Sequence, residues 1–381
     1  MAYDKVVDSA SLDSKLTQVA DAIRTKGNTS ADLQFPSGFI SAIQAIQTGT
    51  ELKIVVSVTS GAAVTATKGS NTVSGTSVNG VCTIIVPEAG TWSVKATLGG
   101  ETSNTKSVTF TDSYDVTLAF VSPTLNDNDW AKIREVSDKG DGANYWSVGD
   151  RKAVTLNGTV GHLTLSNYTT YAFIIGFNHN SSVEGANRIH FQLAKTALSG
   201  GTDVCLCDSS YVSTVSTTGY FSMNSSRTNS GGWANSQMRT NICGTNFSSY
   251  SGTIIAAIPD ALRAVLKSVT KYTDNTGGGS TAASAVTATT DYFFLLSGHE
   301  VFGSNRYANS NESSKQAQYA YYSAGNSKIK YKQDGTTTAA SWWLRSQTAE
   351  YSYYFMSVHT NGTPSYFSAN YSIGFAPGFC V

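Results

Sequence analysis

The chain has 381 residues, with 26 basic and 26 acidic side chains and a formal net charge of zero. Because there is no net positive field and no basic stripe with interleaved aromatics, binding to nucleic acid or to an anionic membrane is not expected. Charged residues and proline are scarce, whereas Gly, Ser, Thr, Asn and Tyr are abundant, which favours strands joined by polar turns. The length predicts two or three domains.

Residues 1–8 contain no apolar core of signal-peptide length, and no apolar run in the chain is long enough to span a membrane. We therefore expect a protein that is made in the cytoplasm, does not leave by the general secretory route and does not insert into a membrane.

Residues 1–48 are predicted to contain two helices, because apolar residues recur at helical spacing in two runs. The first run ends near Gly27, which suits a helix C-cap, and the second follows Pro36. The apolar residues of the two runs are Leu12, Leu16, Val19, Ala20, Ile23, Phe39, Ile40, Ile43 and Ile46. Neither helix can bury its stripe alone, so the stripes must pack on each other, on other copies of the chain or on a larger assembly.

Residues 51–119 change to a period of two, which predicts short strands in a small immunoglobulin-like sandwich that serves as a spacer. Alternation is clearest at Leu52, Ile54, Val56 and Val58, and again at Val81, Thr83 and Ile85. Further strands are expected around 92–94, 108–110 and 116–119, with turns at Gly61, Asn79, Gly80, Gly90, Gly99 and Gly100.

Residues 120–381, the third predicted unit, mix short strands with long polar loops. One segment, residues 260–267, has a helical pattern, and residues 276–283, with three consecutive glycines, are predicted to form a flexible surface loop.

The five cysteines are odd in number and scattered, which argues against a disulfide framework. Cys205 and Cys207 could hint at a metal, but a zinc site needs four ligands and no second Cys or His pair stands at a suitable spacing. We therefore predict a strand with two thiols on one face, and no metal or other cofactor.

Several motifs in the third unit stand out: Tyr-Trp-Ser-Val-Gly-Asp at 145–150, Ile-Gly-Phe-Asn-His-Asn at 175–180, Asn-Ser-Gly-Gly-Trp at 229–233, Ser-Gln-Met-Arg at 236–239, Gln-Tyr-Ala-Tyr-Tyr at 318–322, Trp-Trp-Leu-Arg-Ser at 342–346 and Gly-Phe-Ala-Pro-Gly-Phe-Cys-Val at 374–381. With these motifs the unit resembles a domain family of unknown biochemical activity in phage tail proteins, chiefly of Gram-positive hosts. The helical pair, with Ala-Asp-Ala-Ile-Arg-Thr-Lys-Gly at 20–27 and Phe-Pro-Ser-Gly-Phe at 35–39, is similar to a segment that recurs in phage tail and baseplate-associated proteins.

The order of the last elements also resembles the C-type-lectin fold of variable proteins from diversity-generating retroelements, such as the phage major tropism determinant. The resemblance implies a core strand at 342–346, a variable stretch after it and a closing strand that begins at Gly374 and Phe375. The Arg that usually follows Gly-Phe is replaced here by Ala376. The expected fold class is thus mixed, mainly β with some α: a helical pair, an immunoglobulin-like sandwich and an α+β C-type-lectin-like domain over 120–381.

Residues 347–373 are dominated by Tyr, Ser, Thr and Asn, which is the composition of antibody binding loops. Packing in a local β-meander is the alternative, but a core would need more Leu, Ile and Val. The residues expected to form one exposed ligand-binding face are Tyr351, Tyr353, Tyr354, His359, Tyr366, Phe367, Asn370 and Tyr371. If adenines of AAC-type codons were replaced at random, most residues from 348 to 373 would be reachable, whereas Gln347, Glu350 and Met356 would not.

Signals for catalysis are weak. The five histidines show no metal-binding spacing, no Gly-x-Ser-x-Gly elbow stands out, and Cys380 has no partner at a telling spacing. We therefore expect a binding protein without catalytic residues.

The sequence predicts a phage tail adhesin, located in the virion, that recognises a bacterial cell-surface protein or glycan. Its residues 1–48 would contact other tail proteins, and a homotrimer is expected because tail-tip adhesins are commonly threefold. The alternatives are an invariant structural or decoration protein of the virion with weak glycan binding and, more distantly, a surface-polysaccharide hydrolase.

Overall fold

The computed structural model describes residues 9–28, 30–45, 51–118 and 120–381. The fold is mixed and mainly β, which confirms the predicted class at that level. The chain divides into two compact units, Met1–Phe120 and Val121–Val381. In the described part of the chain, no helix is both long enough and apolar enough to cross a membrane.

Two helices precede the first strand, α1 (Ser9–Gly27) and α2 (Ser37–Ala45). Asn28, rather than Gly27, takes the left-handed conformation after α1, with φ of 48°. Among the described residues of this region, Ala20, Ile23 and Phe39 are buried between the helices. The predicted stripe residue Ile46 lies outside the described residues. Other apolar side chains of this region stay exposed, namely Leu12 (45%), Val19 (48%), Phe35 (63%), Ile40 (54%) and Ile43 (54%).

The rest of the first unit consists of two sheets around a shared apolar core. Its strands are β1 (Lys53–Ser57), β2 (Ala63–Lys68), β3 (Asn71–Thr76), β4 (Val81–Ile85), β5 (Gly90–Leu98), β6 (Glu101–Thr102), β7 (Lys106–Phe110) and β8 (Tyr114–Thr117). One sheet has the order β4-β1-β8, and the other has the order β3-β2-β5-β6 with β7 also paired to β5. Trp92 is fully buried in the core between them.

Local sequence explains the turn between β3 and β4. Asn79 and Gly80 both have positive φ, and the flanking Val78 and Val81 exchange two backbone hydrogen bonds, as in a two-residue hairpin turn. In β4 the inward face is the opposite of the one that the alternation suggested. Cys82 and Ile84 are buried, whereas Val81 and Ile85 are exposed, because the register with β1 pairs Cys82 with the buried Val56.

The second unit contains helices α3 (Trp130–Lys139), α4 (Gly142–Tyr145), α5 (Ser181–Glu184), α6 (Gly232–Asn235), α7 (Ile254–Ala257), α8 (Asp260–Arg263), α9 (Gly298–Phe302) and α10 (Ala320–Ser323). Its strands are β9 (Arg151–Val160), β10 (Leu163–Phe177), β11 (Ile189–Lys195), β12 (Val204–Cys205), β13 (Ser213–Thr214), β14 (Val269–Asp274), β15 (Val286–Asp291), β16 (Phe293–Phe294), β17 (Lys330–Lys332), β18 (Gly335–Ala340), β19 (Trp342–Gln347), β20 (Tyr354–Val358), β21 (Pro364–Ser368), β22 (Tyr371–Ser372) and β23 (Gly378–Cys380).

The largest sheet of this unit is antiparallel, in the order β16-β23-β11-β10-β9. The last strand, β23, is therefore inserted between β11 and β16. The rings of Phe191 and Phe379, paired across β11 and β23, stack with centroids 5.2 Å apart. A second sheet, β19-β20-β21, carries the stretch that the sequence analysis singled out.

One local prediction for this unit is wrong, and the predicted glycine loop makes hydrogen bonds to the scaffold. The helix expected over 260–267 ends at Arg263, because the backbone N–H of Lys267 bonds to Cys380 and tertiary pairing overrides helix propensity. The glycine loop is anchored: the N–H groups of Thr276 and Gly277 donate to Asp274 Oδ1, and that of Gly278 donates to Asn229 Oδ1.

In the expected core strand, Trp342, Trp343 and Leu344 are fully buried, and Phe375 and Phe379 lie in the same core. The indole N–H of Trp343 donates to the carbonyl of Phe221 at 2.8 Å. The β19 strand is thus fixed by apolar packing and by a buried hydrogen bond.

Replacing Trp343 by Ala is expected to lower the free energy of unfolding by about 3–5 kcal/mol, since it leaves a large cavity in this core. Urea unfolding of the full chain, followed by circular dichroism, measures the effect. Tyr114→Ala, which changes an exposed aromatic of the first unit, is the control. If the urea midpoint of Trp343→Ala equals that of wild type, β19 is not part of the stabilising core.

Candidate functional site

Residues 347–373, called the recognition stretch below, form a hairpin beside the buried strand β19. After β19 the chain turns at 348–353, returns as β20, turns again at 359–363 and ends in β21. Strand β20 lies between β19 and β21, and its Phe355, Met356 and Val358 are fully buried. The edge strand β21 is more open to solvent.

Four tyrosines of the stretch come together in one cluster. Ring centroids lie 4.3 Å apart for Tyr353 and Tyr354, 4.8 Å for Tyr354 and Tyr366, and 5.4 Å for Tyr351 and Tyr354. Tyr307, from outside the stretch, packs edge-on against Tyr366 at 5.1 Å. Tyr351 and Tyr366 remain exposed at 40% and 36%, so the cluster forms an aromatic surface.

Beside this cluster lies a pocket of about 490 Å³. It is lined by Thr214, Arg227, Tyr354, Tyr366, Phe367, Ser368, Asn370 and Tyr371. The structure thus places five of the eight residues singled out from the sequence around one pocket, and two more, Tyr351 and Tyr353, in ring contact with it.

His359 is the exception. It follows the last residue of β20, and its ring contacts Thr360 and Asn361 in the turn before β21. This turn is at the opposite end of the strand from Tyr354, roughly 16 Å away at the rise of an extended chain. The structure therefore does not bring His359 to the tyrosine cluster.

Scaffold groups hold the backbone under the tyrosines. The buried side chain of Asn229 donates to the carbonyls of Tyr351 and Tyr354, at 2.7 and 3.1 Å, and its Oδ1 accepts from the N–H of Gly278. The N–H of Ala369 donates to the carbonyl of Tyr353. These bonds involve main-chain atoms of the stretch, so they do not depend on which side chains it carries.

Arg227 supplies the pocket with its one cationic side chain. Its guanidinium lies 4.0 Å from the ring centroid of Tyr353, in a cation–π contact. A hydrogen bond with Tyr353 raises the pKa of Tyr354, so this phenol keeps its proton at neutral pH. The pocket therefore offers aromatic faces, hydroxyl and amide groups, and a single positive charge.

Sequence reasoning missed Arg227 and Thr214 as lining residues. Both lie more than a hundred positions before β20, and neither belongs to a motif. Asn229 stands in one of the recognised motifs, but nothing local indicated that its side chain supports the tyrosine turn.

A second group of polar residues is fully enclosed. The ammonium of Lys271 lies 2.6 Å from Glu184 Oε2, 3.0 Å from Glu300 Oε1 and 2.8 Å from the hydroxyl of Tyr319. Arg345 donates to both carboxylate oxygens of Glu300. Burial alone would raise the pKa of Glu300, but the charges of Arg345 and Lys271 outweigh it and hold that pKa well below its ordinary value.

This enclosed group includes the one cluster of possible metal ligands in the described residues, His179, Glu184 and Glu300, whose ligand atoms lie within 4.8 Å of one another. The Lys271 ammonium already lies between the two carboxylates, and together with the Arg345 guanidinium it balances their charge. The arrangement is therefore explained as a buried ion-pair network. Cys205 and Cys207 are both buried, with sulfurs 3.9 Å apart and no disulfide, and they do not join this cluster.

Cys380 and His190 form a buried thiol–imidazole pair, with Sγ 3.3 Å from Nδ1. Burial raises the pKa of Cys380 to about 12 and lowers that of His190 well below its ordinary value. Both groups are thus neutral near pH 7, and a thiol is a poor nucleophile in that state.

Glu312 joins the same interior and yields a pH-dependent prediction. Burial raises the pKa of this carboxyl to about 7, although the N–H of Asp274 and the hydroxyl of Ser346 donate to it. The folded chain keeps the proton up to about pH 7, whereas the unfolded chain loses it near 4.5. Its contribution to stability therefore falls as the pH rises through that range.

His179, whose pKa burial lowers to about 3, acts in the opposite sense over an overlapping range, so the test compares variants. Wild type loses stability from this carboxyl between pH 5 and pH 8, whereas Glu312→Gln has no carboxyl to ionise. The free energy of unfolding of the variant, relative to that of wild type, is therefore expected to rise over this range by up to about 3 kcal/mol. Urea unfolding at each pH measures it, with the exposed Glu350→Gln as control. Parallel profiles for wild type and Glu312→Gln would show that this carboxyl is ionised in the folded chain.

Comparison with known proteins gives a match to a protein family. Residues 203–381, which include the pocket and the whole β19-β20-β21 sheet, match a family described as Domain of unknown function (DUF6273). No curated protein and no solved structure matches the chain.

Proposed function

We propose that the chain is a receptor-binding adhesin of a phage tail, and that the tyrosine-lined pocket is where it contacts the bacterial surface. The observation that carries the proposal is the separation of roles within the stretch: scaffold groups fix the main chain, and large polar aromatic side chains project around a pocket. Tyrosine surfaces of this kind are typical of binding sites that combine large contact area with few rotatable bonds.

The finer fold assignments are part of the same proposal. The two-sheet unit of residues 51–118 would be an immunoglobulin-like spacer, and residues 121–381 a C-type-lectin-like domain. In support, β19 is a buried strand directly before the stretch, and β23 after it is inserted between β11 and β16.

Two buried residues support a diversified stretch over an invariant one. Gln347 and Met356 are not reachable by adenine replacement of AAC-type codons. Gln347 Nε2 donates to Asp274 Oδ1 at 2.7 Å, and Met356 is fully buried. Both therefore serve the scaffold, where variation would be harmful. Glu350, the third unreachable residue, is exposed.

A polysaccharide hydrolase is less well supported. Glycoside hydrolysis ordinarily needs two carboxyl groups that flank the scissile bond. The described residues that line the pocket include neither Asp nor Glu. The geometry thus favours binding over cleavage.

Tyr354→Ala and Tyr366→Ala are expected to weaken adsorption of the labelled chain to host cells by about 2 kcal/mol or more, because central tyrosines dominate such interfaces. Their free energies of unfolding should change little, since the backbone beneath them is held by Asn229. Tyr114→Ala and His359→Ala, both outside the pocket, are the matched controls. If the two variants have a much lower free energy of unfolding but adsorb like wild type, these tyrosines belong to the core and the receptor binds at another surface.

The helical pair is proposed to bind other copies of the chain, as a homotrimer, and neighbouring tail proteins. Ile40 and Ile43 are each 54% exposed on α2, and a pair of helices with three buried apolar residues is too small to be stable alone. A larger apolar contact would bury them.

Multi-angle light scattering at micromolar concentration should therefore give three times the chain mass of 40.3 kDa. The double variant Ile40→Glu/Ile43→Glu should shift the full chain towards monomer. A wild-type monomer, or a trimer that the double variant leaves intact, would contradict this role of the helices.

A further inference from the structure

We infer that the pocket takes a sugar that carries a carboxylate or phosphate group, with Arg227 as the residue that recognises the anion. The inference rests on the proposed adhesin function and adds the chemical class of its ligand. It depends on the charge, the orientation and the polar lining of the pocket.

The charge of Arg227 has no acidic partner among the described residues. Some other arginines of the unit pair with carboxylates: Arg239 lies 2.6 Å from Asp291, and Arg134 lies 2.9 Å from Asp138. The pocket lining adds no carboxylate to balance Arg227. The pocket therefore holds an uncompensated positive charge in a chain whose net charge is zero.

Stacking on Tyr353 leaves Arg227 suited to an anion. The cation–π contact at 4.0 Å occupies one face of the guanidinium. The group also hydrogen-bonds to the side chain of Tyr354. Its other N–H donors lie in the plane of the guanidinium, where an anion can reach them. A carboxylate or phosphate can accept two of them at once, which is the strongest geometry for such a pair.

The rest of the lining suits a carbohydrate. Thr214, Ser368 and Asn370 offer hydroxyl and amide groups, and the tyrosines offer aromatic faces on which the C–H face of a sugar ring can stack. The volume of about 490 Å³ falls in the range of small-ligand sites, roughly 300–1,000 Å³.

The test uses the full chain and two matched sets of sugars. Glucose, glucuronic acid and glucose 6-phosphate share a ring and differ in the group at C6, as do galactose, galacturonic acid and galactose 6-phosphate. Saturation-transfer difference NMR titrations compare their affinities for wild type, Arg227→Gln, Arg227→Lys and Arg306→Gln. Arg306 is exposed and does not line the pocket, so it controls for the loss of one positive charge.

At least one acidic sugar should bind more than tenfold more tightly than its neutral counterpart. Comparison of the uronic acids with the sugar 6-phosphates then shows whether the pocket prefers a carboxylate or a phosphate. Arg227→Gln should weaken that binding roughly ten- to a hundredfold, Arg227→Lys should fall between, and Arg306→Gln should bind like wild type. Equal affinity for neutral and acidic sugars, no effect of Arg227→Gln, or no binding of any acidic sugar at millimolar concentration would each overturn the inference.

Adsorption to host cells, measured with the same variants, separates this inference from the adhesin proposal. If Tyr354→Ala abolishes adsorption while Arg227→Gln leaves it unchanged, the adhesin proposal stands and the anionic ligand is wrong. If neither variant changes adsorption, both fail.

Discussion

The buried ion pairs of the Glu300 carboxylate are the interactions on which the arrangement of α9, β14 and β19 in the second unit depends. The carboxylate accepts from Arg345 of β19 and Lys271 of β14, while its own helix α9 begins with a capping box between Ser297 and Glu300. A buried charge that loses its partner costs about 3–5 kcal/mol. The three elements are therefore restricted to the one arrangement in which both cations reach the carboxylate, and β19, fixed in this way, leads directly into the recognition stretch.

Polar contacts extend from β14 and β19 to the surface. Asp274, at the end of β14, accepts from Gln347 at the end of β19 and from the glycine turn, whose Gly278 in turn donates to Asn229. Asn229 then holds the carbonyls of Tyr351 and Tyr354. A series of buried and partly buried hydrogen bonds thus joins the ends of β14 and β19 to the turn that presents the tyrosines, so the position of the pocket follows from the interior.

The parts of this organisation that could be predicted are those with a local signal. Alternating aliphatic residues predicted β1, and the Trp-Trp-Leu run predicted a buried strand. The many tyrosines of residues 347–373 led to the prediction of an aromatic binding surface. Arg227 could not be predicted, because folding brings it to Tyr353 from far along the chain. The network around Lys271 was hidden for another reason: charged residues are almost never fully buried, so composition assigns them to the surface. The inward face of β4 was misassigned because Val81 and Ile85 are β-branched yet exposed.

The hydrogen bonds of Asn229 also affect the thermodynamics of recognition. Ordering the backbone of one residue costs about 1–2 kcal/mol, and in this turn that cost is met when the protein folds. A ligand therefore meets a preorganised main chain and need not supply the energy to order it. Exchanging one tyrosine for another side chain then alters the contact with the ligand while the entropy lost by the backbone on binding stays the same, so that affinity can be changed one residue at a time.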